Sequence, residues 1–89
     1  MTRKHLLVRG LVQGVGFRWY ALEAASRLGL SGWVRNREDG VVEAEAQGPA
    51  EDVAEFAAAL RRGPTSARVD AVEQKDVPAV GSGESFEIL

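Results

Sequence analysis

Ser31-Gly32-Trp33-Val34-Arg35-Asn36-Arg37-Glu38-Asp39-Gly40-Val41-Val42-Glu43-Ala44-Glu45-Ala46-Gln47 reads as two strands folded back on one another. Asp39-Gly40 is a strong hairpin signal, because the tight turn needs backbone conformations that these residues tolerate. Glu38 to Gly40 is therefore the turn, between one strand over 31–37 and another over 41–47. In the second strand Val42, Ala44 and Ala46 fall on one face, with Val41, Glu43 and Glu45 on the other. Such alternation describes an antiparallel strand with one dry and one wet face.

A helical pattern flanks the hairpin on each side. Before it, Phe17, Ala21, Ala24, Ala25 and Leu28 recur at intervals of three and four. That spacing makes one apolar stripe on a helix over 17–28, and Gly29 stands where a left-handed cap belongs. After the hairpin, Gly48-Pro49 opens a second helix, with Val53, Phe56, Ala57 and Leu60 as its buried stripe and Gly63-Pro64 as its stop. Glu51 and Asp52 in its first turn, and Arg61 and Arg62 in its last, suit the helix macrodipole.

Outward again, residues 5–10 read as a strand, leading through Gly10-Leu11-Val12-Gln13-Gly14-Val15-Gly16 into the first helix. Residues 67–76, with Val69 and Ala71 at period two, read as the next strand. Residues 78–82 read as a loop, and 85–89, with Phe86 and Ile88 on one face, as a last strand. The order β-α-β-β-α-β predicts a ferredoxin-like α+β sandwich: a four-stranded antiparallel sheet with two helices on one face. One domain over residues 1–89 is expected.

Composition narrows the function. At this length roughly 60–65% of the unfolded surface is buried, enough for one core. The formal net charge of −2, with both signs mixed along the chain, argues against a nucleic-acid partner. The absence of cysteine removes disulfides, thiolate nucleophiles and Cys-based metal sites. A single histidine, His5, cannot build a metal cluster, so no metal and no cofactor are expected. Arg9 stops the apolar run Leu6-Leu7-Val8 well short of a signal peptide or membrane span. The expectation is a cytoplasmic monomer without a membrane partner.

The chemistry concentrates in the glycine-spaced loop. A strand, closely spaced glycines and a helix start can turn the N–H groups of Gln13, Gly14, Val15, Gly16, Phe17 and Arg18 into an anion nest at the positive helix end. The alternative is a tight turn and nothing more. No Gly-Lys-Ser/Thr follows, so nucleotide binding is not implied. Arg18 offers a rigid fork suited to phosphate oxygens, at a helix end that disfavours a cation without an anion partner; the plain reading is a solvated arginine. Asn36 both accepts and donates hydrogen bonds without titrating, which suits a residue holding water; the plain reading is a strand-end turn residue. Trp33 is assigned to packing and Trp19 to no role. His5 reads as a surface residue, and Glu43 and Glu45 as solvated. Arg35 and Arg37 either strengthen the local field for an anion or are simply solvated.

Gly10-Leu-Val-Gln-Gly-Val-Gly-Phe-Arg18 meets every fixed position of the pattern G-x-V-Q-G-V-x-F-R, and Gly32-Trp-Val-Arg-Asn36-Arg-Glu-Asp-Gly40, followed by Gly48, meets a second. In these motifs, in length and in element order the chain resembles the acylphosphatase family. The resemblance implies the ferredoxin-like fold, hydrolysis of acyl phosphates, phosphate binding by Arg18 and positioning of water by Asn36. It also implies a small-molecule acyl phosphate as partner.

The residues are sufficient for that reaction. The acid of a carboxylate leaving group has a pKa of roughly 4, so departure needs no general acid. Positioning and charge neutralisation then suffice, and even a millionfold acceleration requires only about 8 kcal/mol. Direct attack by water, with neither metal nor phosphoenzyme, is the expected course. Two other readings remain at this point: an RNA-binding sheet face, disfavoured by charge and by the lack of an aromatic pair, and a non-catalytic domain that binds phosphate or carbamoyl phosphate.

Overall fold

The computed structural model describes residues 1–81 and 85–89. The loop expected over 78–82 therefore ends, at Ser82, outside the described residues. Elements run β1 Thr2–Leu11, α1 Phe17–Arg27, β2 Ser31–Asn36, β3 Val42–Gly48, α2 Ala50–Arg62, β4 Arg68–Val77 and β5 Phe86–Ile88. They form one sheet in the order β4-β1-β3-β2-β5. Both helices pack on the same buried face.

The hairpin that opened the sequence reading is the centre of this arrangement. β2 and β3 pair antiparallel, from Ser31 opposite Gln47 to Asn36 opposite Val42. The turn is held by Arg37 and Val41: the Arg37 N–H donates to the Val41 oxygen at 2.9 Å, and the Val41 N–H donates to Asp39 Oδ1 at 3.1 Å. The alternation in β3 delivers Val42, Ala44 and Ala46 to the core, where each is fully buried. They meet Phe17, Ala21 and Ala25 of α1 and Val53, Phe56 and Leu60 of α2. Gly29 closes α1 in a Schellman motif, with Gly29 N–H donating to the Ser26 oxygen and Leu30 N–H to that of Ala25.

Two expectations about the layout of the sheet need correction. The sheet has five strands, not four. β5 adds to the free edge of β2 and runs parallel to it, with Gly32 opposite Phe86 and Val34 opposite Ile88. Two forces seat it. Phe86 is buried against the Phe56 ring, centroid to centroid 5.6 Å. Backbone bonds flank the pairing: Gly32 N–H donates to the Ser85 oxygen at 3.1 Å, and Leu89 N–H to that of Val34 at 2.9 Å.

The second correction concerns the face of β4. Val69 and Val72, not Val69 and Ala71, pack against the core, and Ala71 is exposed. The register shifts between Arg9 and Gly10: Arg9 faces Ala71, but Gly10 faces Val69. Asp70 is thus an extra residue on β4, and a bulge of this kind reverses which side chains face inward.

The uncovered sheet face is a lattice of ion pairs. Arg3 Nε reaches Glu45 at 2.7 Å, His5 Nε2 reaches Glu43 at 2.6 Å, and Arg9 Nε reaches Glu73 at 2.7 Å. Arg35 joins the same Glu43 at 2.7 Å and lies over the Trp33 ring. Glu43 and Glu45 are thus half-buried members of cross-strand pairs rather than solvated side chains.

Candidate active site

The loop between β1 and α1 faces the end of the β2–β3 hairpin. Gly14 and Gly16 have φ of +76° and +77°, in the left-handed region open to glycine. Among the described residues no non-glycine residue has positive φ, so positive and negative φ alternate along 14–17. That alternation turns successive N–H groups toward one side and builds an anion nest. None of the N–H groups of Gln13 to Arg18 donates to a protein acceptor among the described residues.

The start of α1 is electrostatically open as well. Gly16 is its N-cap, with no side-chain cap, and its first turn carries no acidic residue. α2 differs in this respect, having Glu51 and Asp52 in its first turn. The positive end of α1 is left for an external anion. Arg18 adds a charge there; it is exposed and makes no ion pair among the described residues.

Asn36 reaches the same place by strand alternation. It shares the helix-covered face of β2 with Val34, while Trp33 and Arg35 point the other way. Its Oδ1 is buried and has no hydrogen-bond partner among the described residues. Buried polar atoms are nearly always satisfied, so an orphan acceptor marks a place where a donor is meant to arrive.

A cavity of about 230 Å³ joins these parts, with Gly14, Gly16, Arg18 and Asn36 in its lining. Of the residues singled out in the sequence, the cavity thus brings together Gly14, Gly16, Phe17, Arg18 and Asn36, whereas Gln13 and Val15 are not in its lining. The rest of the lining is Val12, Trp19 and Ile88. The sequence reading did not place Trp19 and Ile88 beside Arg18 and Asn36. Trp19 had a signal, being a large apolar side chain directly after the key arginine. Ile88 had none, since its place depends on the parallel pairing of β5.

Gln13 contributes more than its N–H. Its Nε2 donates to the backbone oxygens of Arg37 at 2.7 Å and Val41 at 3.2 Å. The nearby cations are already engaged: Arg37 holds Asp39 at 2.8 Å and Arg35 holds Glu43. The Val41 N–H, more than burial opposes it and together with Arg37, draws the Asp39 carboxyl below its usual range. His5, bound to Glu43 on the uncovered face, takes no part in the cavity lining. Among the described residues no group of three or more His, Cys, Asp or Glu is placed to hold a metal ion. Among the described residues no helix is long and apolar enough to cross a membrane.

Fold and cavity together define a small α+β sandwich with an anion-receptive helix start beside a buried orphan acceptor. The chain matches the Acylphosphatase family over residues 4–88. A relative called acylphosphatase in Nitrobacter hamburgensis is 50% identical over 91 residues, spanning 97% of this chain and 92% of its own. The crystal structure of acylphosphatase from Bacillus subtilis superposes with a TM-score of 0.96 at 34% identity, covering 100% of this chain and 99% of that one. HypF of T. kodakarensis contains a similar unit: TM-score 0.85 and 36% identity over 99% of this chain, but only 12% of HypF. This protein belongs to the acylphosphatase family.

Proposed function

We propose that the protein hydrolyses the carboxyl–phosphate bond of acyl phosphates, and that the buried Oδ1 of Asn36 beside Arg18, without a hydrogen-bond partner among the described residues, carries this reading. The phosphate rests on the N–H groups of 13–18 and on the Arg18 guanidinium, which suits two phosphate oxygens at once. Water donates one hydrogen to Asn36 Oδ1, which directs its lone pair toward phosphorus. The water oxygen bonds to phosphorus as the bond from phosphorus to the acyl oxygen breaks. The electron pair leaves with the carboxylate. The proton lost by water passes to an oxygen of the substrate phosphate, and no phosphoenzyme forms. Charge developing on the phosphoryl oxygens is met by groups already oriented.

The same reading includes a monomer that acts in the cytoplasm on a small-molecule substrate, with neither nucleic acid nor membrane as partner. A single domain over residues 1–89 is part of it.

The test is hydrolysis of benzoyl phosphate in EDTA by the wild type, Arg18→Ala and Asn36→Ala. Each substitution is expected to lower kcat/KM by roughly 10²–10³, the usual effect of removing one transition-state donor. Hydrolysis in ¹⁸O water should place the label in phosphate and leave the carboxylate unlabelled. Folded wild-type protein without turnover would refute the reading.

A further inference from the structure

Val12, Phe17, Trp19 and Ile88 bring apolar side chains to the cavity beside Arg18, and phosphate chemistry makes no use of them. Trp19 lines it and is 65% exposed; Ile88 lines it and is 38% exposed. Such side chains scattered singly on a surface call for no explanation. Here two of them meet in one cavity that also holds Arg18 and Asn36. The buried Val12 and Phe17 complete its apolar lining.

We infer that Trp19 and Ile88 form a subsite for the acyl group, and that the preferred substrates carry an aromatic or branched aliphatic acyl group. This rests on the function proposed above. An acyl phosphate has an anionic head and a tail of variable polarity. With the head on the loop and Arg18, a tail that stays within the cavity runs along the remainder of its lining. Trp19 follows Arg18 directly in α1, so phosphate grip and tail contact belong to one rigid turn. Ile88 is fixed by its register opposite Val34 and by the buried Phe86 two residues earlier. An indole face favours a second ring through edge or offset contacts.

Charge points the same way. Arg35 points to the opposite sheet face, where it pairs with Glu43, and Arg37 pairs with Asp39; neither lines the cavity. A tail bearing a further anion therefore finds no free cation from this pair, whereas an apolar tail finds Trp19 and Ile88.

The experiment compares benzoyl phosphate with acetyl phosphate, for the wild type, Trp19→Ala, Trp19→Phe and Ile88→Ala. Alanine suits an exposed helix position, so the Trp19→Ala fold is retained. A contact kept in ground and transition states alike shows in KM rather than kcat. KM for benzoyl phosphate should rise roughly three- to tenfold in Trp19→Ala, the size expected for one aromatic pair. Ile88→Ala should move it in the same direction, and Trp19→Phe should restore most of the loss. Acetyl phosphate, too short to reach the subsite, should keep its kinetics. Retained turnover of both substrates with an unchanged ratio of kcat/KM overturns the subsite alone. A wild type that hydrolyses neither substrate overturns the parent function and the subsite with it.

Discussion

The Gln13 side-chain amide donates to the main-chain oxygen of Arg37 at 2.7 Å, so the loop before α1 is tied to the turn just beyond Asn36. A second bond, to the oxygen of Val41 at 3.2 Å, spans the same turn. The two halves of the site come from segments far apart in sequence, and this amide bridges them. Gln13→Leu should lower kcat roughly ten- to hundredfold, since small misplacements of reacting groups have effects of that order. It should also destabilise the fold by about 0.5–1.5 kcal/mol per bond lost, because each oxygen keeps a backbone donor: Gly40 N–H at 3.3 Å for Arg37 and Arg37 N–H at 2.9 Å for Val41. Steady-state kinetics beside urea unfolding separates the two effects. A stability loss with kcat unchanged would make Gln13 a structural tie only.

Inorganic phosphate, as a product of the proposed reaction, should bind the loop and raise the melting temperature of the wild type. At a concentration one hundred times Kd the gain is about 2.7 kcal/mol. Arg18→Ala should lose most of this shift, and Arg18→Lys should recover only part, because an ammonium lacks the planar fork. Differential scanning fluorimetry across a phosphate titration measures it.

Phe86→Ala removes the ring that packs against Phe56 at 5.6 Å and anchors β5. The expected loss is about 3 kcal/mol, read as a lower urea midpoint. Because β5 carries Ile88 to the cavity, discrimination between benzoyl and acetyl phosphate should weaken in the same variant.

Glu43 predicts a pH dependence of stability. Burial pushes its carboxyl up, but hydrogen bonds from His5 and Arg35 outweigh this and hold it below its ordinary value of 4.5. The folded state then binds the proton less readily than the unfolded state. Its stabilisation is complete above pH 4.5 and is lost as pH falls through the lower folded value. Glu43→Gln should be less stable near neutrality and flatter with pH in the acid range. Urea midpoints from about pH 7 to about pH 3 would show two parallel curves if Glu43 contributes nothing.

Much of this was legible before the fold was known, because it was local. Asp39-Gly40 fixed the hairpin, period two in Val42, Ala44 and Ala46 fixed its dry face, and Gly29 and Gly63 marked the helix ends. The loop glycines and Arg18 are contiguous, so their proximity needed no tertiary information. What escaped was non-local. The parallel seat of Phe86 and Ile88 depends on a free edge that only the assembled sheet has. The phase of β4 depends on one extra residue, Asp70, whose effect appears in the register with β1. The engagement of Glu43 by His5 and Arg35 requires three strands side by side.

The two outer strands also bear on how the molecule avoids its own copies. An exposed sheet border is a template for further strands, and from there for aggregates. β5 offers only three residues on one side. β4 is ten residues long on the other, but the Asp70 bulge breaks its line and Arg68, Glu73, Lys75 and Asp76 stud it with charge. Neither border presents a long, flat, apolar stretch to a neighbour, so the strand that brings Ile88 to the cavity also leaves the sheet with two poor starting points for fibril growth.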